Sequence, residues 1–123
     1  MKHLANCKPS EFLGQVNRAR KAASEWLEKT DIDNIRKTKP EIPDGATDDE
    51  RRELIAAQVT ENVERIFEAA LGKYPDETLA LLALLCFTEP EDVDTHTVGE
   101  YLTAFDEMRQ DQAVWRFFTS FLR

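Results

Sequence analysis

Several features of specialised protein classes are scarce in this sequence of 123 residues. It has two cysteines, Cys7 and Cys86, too few for a disulfide scaffold, and its four glycines and five prolines exclude a collagen-like chain. The longest unbroken apolar run, residues 79–87, has nine residues, whereas a membrane-spanning helix needs roughly 20. No apolar stretch of secretory length follows the first methionine. We therefore predict a cytoplasmic protein with reduced thiols and no membrane contact.

Residues suited to catalysis or metal binding are equally sparse. His3 is expected in an N-terminal tail and His96 just before a helix cap, so both are interpreted as exposed or capping side chains. The acidic residues 89–94 lack the glycine and the bidentate glutamate of a calcium loop. Asp31 and Asp33 have neither a strand nor a paired lysine that would favour a magnesium site. A metal-dependent hydrolase is thus the weakest alternative, and we predict no enzyme activity, no catalytic or metal-binding residue and no cofactor.

The net charge of −8 conceals two opposed halves. Residues 1–39 contain nine Lys/Arg and five Asp/Glu, net +4, whereas residues 40–123 contain seven and nineteen, net −12. An acidic body repels a polyphosphate, which argues against nucleic-acid binding through a broad face. The basic segment is compatible with contact to a partner, with head-to-tail self-association, and with a simply solvated helix surface.

Apolar residues recur at helical spacing rather than at strand spacing. Steps of three and four residues predict a first helix that reaches about Lys29, followed by a short helical turn within residues 30–36. Prolines and a glycine mark residues 38–46 as a linker. A capping-box pattern at Thr47 predicts a second long helix that ends at Gly72. The apolar stripe of this helix is expected to face the core and contains Ile55, Val59, Val63, Ile66 and Ala70, with Leu54, Phe67 and Leu71 alongside.

The remaining residues complete an all-α prediction. Apolar residues predict a central helix over about 76–87, covered by amphipathic helices. A second capping box at Thr97 and a cap at Asp111 begin two further helices after an acidic loop. We predict a single small domain of about five helices over residues 1–123. Its parts are a basic first helix and turn (1–37), the linker (38–46) and an acidic helical body (47–123).

Aromatic residues are concentrated near the C-terminal end of the sequence. Six of the eleven aromatics lie in the last 23 residues: Tyr101, Phe105, Trp115, Phe117, Phe118 and Phe121. Aromatic side chains bury roughly 150–250 Å² each, so a single short helix cannot hide all of them against one neighbour. They either seal the core and its edge together or leave some rings exposed for a partner.

Two parts of the sequence resemble a known family. They are Lys8-Pro9-Ser10-Glu11-Phe12-Leu13 and, within residues 79–122, Leu84-Leu85-Cys86-Phe87, Glu89-Pro90-Glu91-Asp92-Val93-Asp94, Glu100-Tyr101-Leu102 and Phe117-Phe118-Thr119-Ser120-Phe121. In these residues the chain resembles the tail assembly chaperones of long-tailed phages and prophages of Gram-positive bacteria. The resemblance covers about half of the chain and includes no catalytic signature.

The resemblance implies a non-enzymatic assembly factor in the host bacterial cytoplasm. Such a factor binds the tape measure protein, keeps it extended, helps recruit tail tube protein and works as a homo-oligomer, sometimes beside a longer frameshifted form. The apolar contacts predicted from the residues are Tyr101, Trp115, Phe117 and Phe121, and the charged contacts are Arg18, Arg20 and Lys21. The alternative is a small phage regulatory module that binds a host protein or nucleic acid through its basic N-terminal segment.

Overall fold

A computed structural model describes residues 1–122, which form helices and no strand. The α-helices are α1 (Pro9–Thr30), α2 (Ile32–Lys37), α3 (Asp48–Phe67), α4 (Pro75–Leu85), α5 (Val98–Gln110) and α6 (Gln112–Ser120). A π-helical segment, Glu68–Lys73, continues α3, and a 3₁₀ segment, Pro90–Thr95, lies between α4 and α5. The all-α prediction is confirmed, and the number of helices is slightly larger than predicted. Arg123, the last residue of the predicted domain, lies outside the described residues.

Tertiary contacts divide the chain into two compact units. Unit 1 consists of Met1–Trp26 together with the chain from Asp76 onward, and unit 2 is Leu27–Pro75. The division falls within α1 and at the start of α4 rather than at residues 38–46, which lie between α2 and α3 and contain no helix.

Side-chain caps fix three helix starts at the predicted residues. The hydroxyl of Thr47 accepts a hydrogen bond from the Glu50 backbone N–H at 3.1 Å, which gives α3 one half of its predicted capping box. Thr97 and Glu100 form both bonds of a capping box at the start of α5. The Asp111 carboxylate accepts from the backbone N–H three residues later and caps α6. Each cap satisfies N–H groups that a helix cannot satisfy internally.

The end of α4 lies in the core of unit 1. Residues 83–86 are buried there, whereas the first two turns of α4 are only partly buried. The helix ends in a Schellman motif, in which the Thr88 N–H donates to the Ala83 carbonyl at 2.9 Å and Phe87 adopts a left-handed φ of 55°. The buried core of unit 1 also draws on α1, α5 and α6, and its members are Leu4, Val16, Ala19, Ala23, Leu85, Cys86, Tyr101, Ala104, Met108 and Phe118.

Unit 2 is held by a polar contact and few apolar ones. The buried amide of Asn62 donates to the Thr38 carbonyl at 3.0 Å and accepts from the Gln58 amide at 2.9 Å, which fastens the start of the linker to α3. The buried apolar side chains of this unit are Ile35, Ala69 and Ala70.

The predicted helix end at Gly72 is wrong. The helix continues through Lys73 because its last turn widens to the π form, in which the Tyr74 N–H reaches back five residues to the Ala69 carbonyl at 3.0 Å. The favourable position of glycine just after a helix end therefore did not locate the end of this helix.

Candidate functional site

Three aromatic rings, the half-buried Phe12 and the exposed Phe117 and Phe121, cluster where α1 and α6 meet in unit 1. The rings of Phe12 and Phe117 lie 5.7 Å apart, and those of Phe117 and Phe121 lie 5.0 Å apart in an edge-to-face arrangement. The Arg20 guanidinium carbon lies 5.9 Å from the centroid of the Phe121 ring, within cation–π range. Phe117 and Phe121 are 40% and 46% exposed. We call these four residues the aromatic patch.

Helical periodicity explains why these residues share one surface. Phe117 lies in α6 and Phe121, four positions later, is the C-cap of that helix with helical backbone angles, so their side chains lie one above the other. Phe12 and Arg20 are related by two such steps along α1. Because both helices carry buried side chains on another face, the exposed rings are held on rigid elements.

Two predicted contact residues belong instead to the interior of unit 1. Tyr101 is buried, its hydroxyl donates to the Val93 carbonyl at 2.7 Å, and burial raises the pKa of the phenol. The ring of Trp115 is half-buried and packs against Phe105 at 5.5 Å and Phe118 at 5.9 Å. The prediction of Tyr101 as a surface contact is corrected, since its ring fills the core side of α5. Trp115 seals the core edge between α5 and α6.

The predicted cations have separate roles. Arg18 forms a bidentate ion pair with Glu89, in which its two terminal nitrogens donate to the two carboxylate oxygens at 2.9 and 2.7 Å. This pair links α1 to the residues that follow α4. The hydrogen bond from Arg18 lowers the pKa of the Glu89 carboxyl. Arg20 belongs to the aromatic patch, and Lys21 is exposed on α1. Of the three cations, Arg20 is therefore the one that the structure joins to the predicted aromatic contacts.

A second exposed apolar surface lies in unit 2, at residues that the sequence analysis predicted to face the core. Five residues at steps of four are between 44% and 60% exposed, and we call them the apolar row: Ile55, Val59, Val63, Phe67 and Leu71. Each step of four advances about 40° around an α-helix, so a long row of such steps winds away from any single buried face. This strict spacing was the signal that sequence reasoning missed. The prediction that these five residues face the core is wrong, whereas Ala70 of the same predicted stripe is buried and Leu54 and Ile66 are half-buried.

The predicted exposure of His3 is also wrong. His3 is buried, its Nδ1 accepts from the Ala5 N–H at 3.1 Å, and its Nε2 lies 2.7 Å from a carboxylate oxygen of Glu107. Since Nδ1 accepts, Nε2 carries the proton and donates to Glu107. Nε2 thus docks the N-terminal turn on α5, and Nδ1 holds that turn in place. His96 does stand beside a cap, with Nδ1 3.1 Å from Glu100.

Three further observations concern residues 1–122 as a whole. No helix in this range combines the length and apolar character needed to cross a membrane. No group of three or more His, Cys, Asp or Glu side chains within the same range is placed to hold a metal ion. Comparison of the chain with protein-family models, with curated proteins and with solved structures finds no match.

Proposed function

We propose that this chain is a non-enzymatic assembly factor of phage or prophage tails, a tail assembly chaperone that binds the tape measure protein and helps recruit tail tube protein. The observation that carries the proposal is the aromatic patch. Phenylalanine and arginine are both enriched in protein–protein interfaces relative to the rest of a protein surface. The proposed site of action is the host bacterial cytoplasm.

The aromatic patch suits an apolar helix of a partner. Phe117 and Phe121 stand edge to face, so a partner side chain can pack against two ring surfaces at once. The rings are already ordered by α1 and α6, and binding therefore loses little side-chain entropy. Arg20 beside Phe121 can pair with a carboxylate of the partner at the edge of the contact. A net charge of −8 helps to keep the complex soluble while apolar surfaces are exposed.

The experiment that tests this function is co-expression with a tape measure protein encoded in the same phage or prophage. The wild-type chain is expected to co-purify with that protein and to increase its soluble fraction. A double variant, Phe117→Ala with Phe121→Ala, is expected to lose most of both effects. The matched control is Leu102→Ala, which shortens another exposed apolar side chain of unit 1 outside the aromatic patch.

Two outcomes contradict the proposal. One is a wild-type chain that neither co-purifies with the tape measure protein nor keeps it soluble. The other is a double variant that retains full binding. A titration with duplex DNA at two salt concentrations tests the alternative regulatory module, because an affinity that falls steeply with salt indicates phosphate contacts by the basic segment.

A further inference from the structure

A groove in unit 2 lies between the linker and α3. Six of the residues that line it are Thr38, Lys39, Pro40 and Ile42 of the linker and Ile55 and Val59 of α3. We call this space the linker groove. Its volume of about 450 Å³ falls within the range of about 300–1,000 Å³ that is usual for ligand sites. The linker groove lies wholly within unit 2, whereas the aromatic patch belongs to unit 1.

Backbone and side-chain bonds hold the linker wall of this groove in place. The Thr38 N–H donates to the Ile35 carbonyl at 3.1 Å, and the Thr38 carbonyl accepts from the buried amide of Asn62 at 3.0 Å. Lys39 and Ile42 each precede a proline, which restricts their backbones to extended conformations. Because the wall is already ordered, binding of a ligand loses little backbone entropy.

Two amide side chains line the linker groove and retain hydrogen-bonding capacity. The Gln58 amide donates to Asn62 Oδ1 at 2.9 Å, and Asn62 Nδ2 donates to the Thr38 carbonyl. Within residues 1–122, these bonds leave one N–H of Asn62 and the carbonyl oxygen of Gln58 without a partner. Asn62 is buried, so its unused N–H favours a ligand that supplies an acceptor. A donor beside an acceptor complements the C=O and N–H groups of a peptide backbone.

The charge of the linker groove is opposite to that of the whole chain. Arg36 and Lys39 line the groove and no Asp or Glu of residues 1–122 does so, although the net charge of the chain is −8. Arg36 Nε donates to Asp33 at 3.1 Å, which leaves the two terminal nitrogens of the guanidinium for a ligand. Lys39 is exposed and makes no ion pair within the described part of the chain. Both cations can therefore pair with a carboxylate, whereas a basic ligand is repelled.

We propose that the linker groove binds an extended peptide segment of another protein, in which an aspartate or glutamate lies next to apolar residues. The backbone of an extended segment offers N–H and C=O groups to the two amides, whereas a helix bonds most of these groups internally. Ile55 and Val59 are four residues apart and so about 6 Å apart along α3, close to the roughly 6.6 Å between alternate residues of an extended chain. Apolar side chains at alternate positions of the peptide can thus contact both, while the carboxylate pairs with Lys39 or Arg36.

Selection of random twelve-residue peptides on the immobilised full-length chain tests this proposal without any tape measure protein. The selected peptides are expected to combine apolar residues at alternate positions with Asp or Glu. Their dissociation constants are then measured by fluorescence anisotropy. Lys39→Glu is expected to weaken binding at least about tenfold, because it repels the carboxylate of the peptide. Lys37→Glu is the matched control and should change the affinity little, since it makes the same charge change at an exposed position of α2 that does not line the groove.

A second pair of variants separates the linker groove from the rest of the apolar row. Val59→Asp is expected to lose the peptides and Val63→Asp to retain them, since Val63 is exposed on α3 but does not line the groove. Ile42→Ser tests the linker wall and leaves α3 unchanged, so it decides the question if Val59→Asp does not fold; circular dichroism checks the helix content of each variant. The proposal is overturned if no selected peptide depends on both Lys39 and these apolar residues. It is also overturned if the peptides that do depend on them lack Asp and Glu.

Discussion

Adjacent phenylalanines of α6 should have opposite effects on stability and on binding. Phe118 is 4% exposed within the core of unit 1, whereas Phe117 is 40% exposed in the aromatic patch. Truncation of a buried phenylalanine to alanine costs about 3–5 kcal/mol, since the apolar transfer energy is lost and a cavity remains. Only part of the Phe117 ring is buried, so Phe117→Ala should cost about 1–2 kcal/mol.

Urea unfolding measures this difference directly. With a slope of about 1–3 kcal/mol per molar, a difference of about 2 kcal/mol separates the two unfolding midpoints by roughly 0.7–2 M. Because both residues belong to unit 1, the same transition reports both changes. Binding should show the reverse order, with the tape measure protein lost more readily from Phe117→Ala than from a folded variant at Phe118. Equal destabilisation by the two substitutions would refute the assignment of the two rings to core and surface.

Three further predictions concern single side chains of unit 1. Tyr101→Phe removes the buried hydroxyl hydrogen bond and should lower the free energy of unfolding by about 1 kcal/mol without changing partner binding; a loss of binding at unchanged stability would contradict the core position. Burial raises the pKa of the Cys86 thiol to about 11, so a thiol reagent at pH 8 should modify Cys7 first and Cys86 only on unfolding, as peptide mapping can verify. The hydrogen bond from Arg18 lowers the pKa of Glu89, so its stabilising effect should be present at neutral pH and disappear as the pH falls through that lowered pKa. In an NMR titration, Arg18→Gln should raise the Glu89 midpoint, and an unchanged midpoint would contradict the pairing.

Local signals in the sequence were enough to predict the helices. A short polar side chain just before apolar residues at helical spacing is typical of an N-cap. This signal predicts the caps that the structure shows at Thr47, Thr97 and Asp111. The π-helical turn was not predictable in this way. Its widened turn passes through Gly72, whose sequence context resembles an ordinary helix end.

The apolar surfaces were harder to assign. The spacing of apolar residues along α3 predicted a helix but not the exposure of Val59, Val63 and Phe67. Burial of a residue depends on whether another element of the fold covers it. The position of His3 was missed for a similar reason. Its partner Glu107 is 104 residues away, and no local pattern reports a contact of that separation.

The aromatic C-terminal region was predicted in part. Its composition indicated that some rings would be exposed, and the rings of Phe117 and Phe121 are exposed. Composition could not separate these from Tyr101, which is also aromatic but lies on the face of α5 that the core covers. The contribution of Phe12 and Arg20 to the same surface depends on how α1 packs against α6.

Calorimetric titration of the purified chain with a helical segment of the tape measure protein tests the central claim most directly. Burial of the aromatic patch should give a negative heat-capacity change on binding. The Phe117→Ala and Phe121→Ala double variant should bind at least 100-fold more weakly, with a smaller heat-capacity change, while Leu102→Ala binds like the wild type. Equal affinity of the double variant and the wild type would contradict the account.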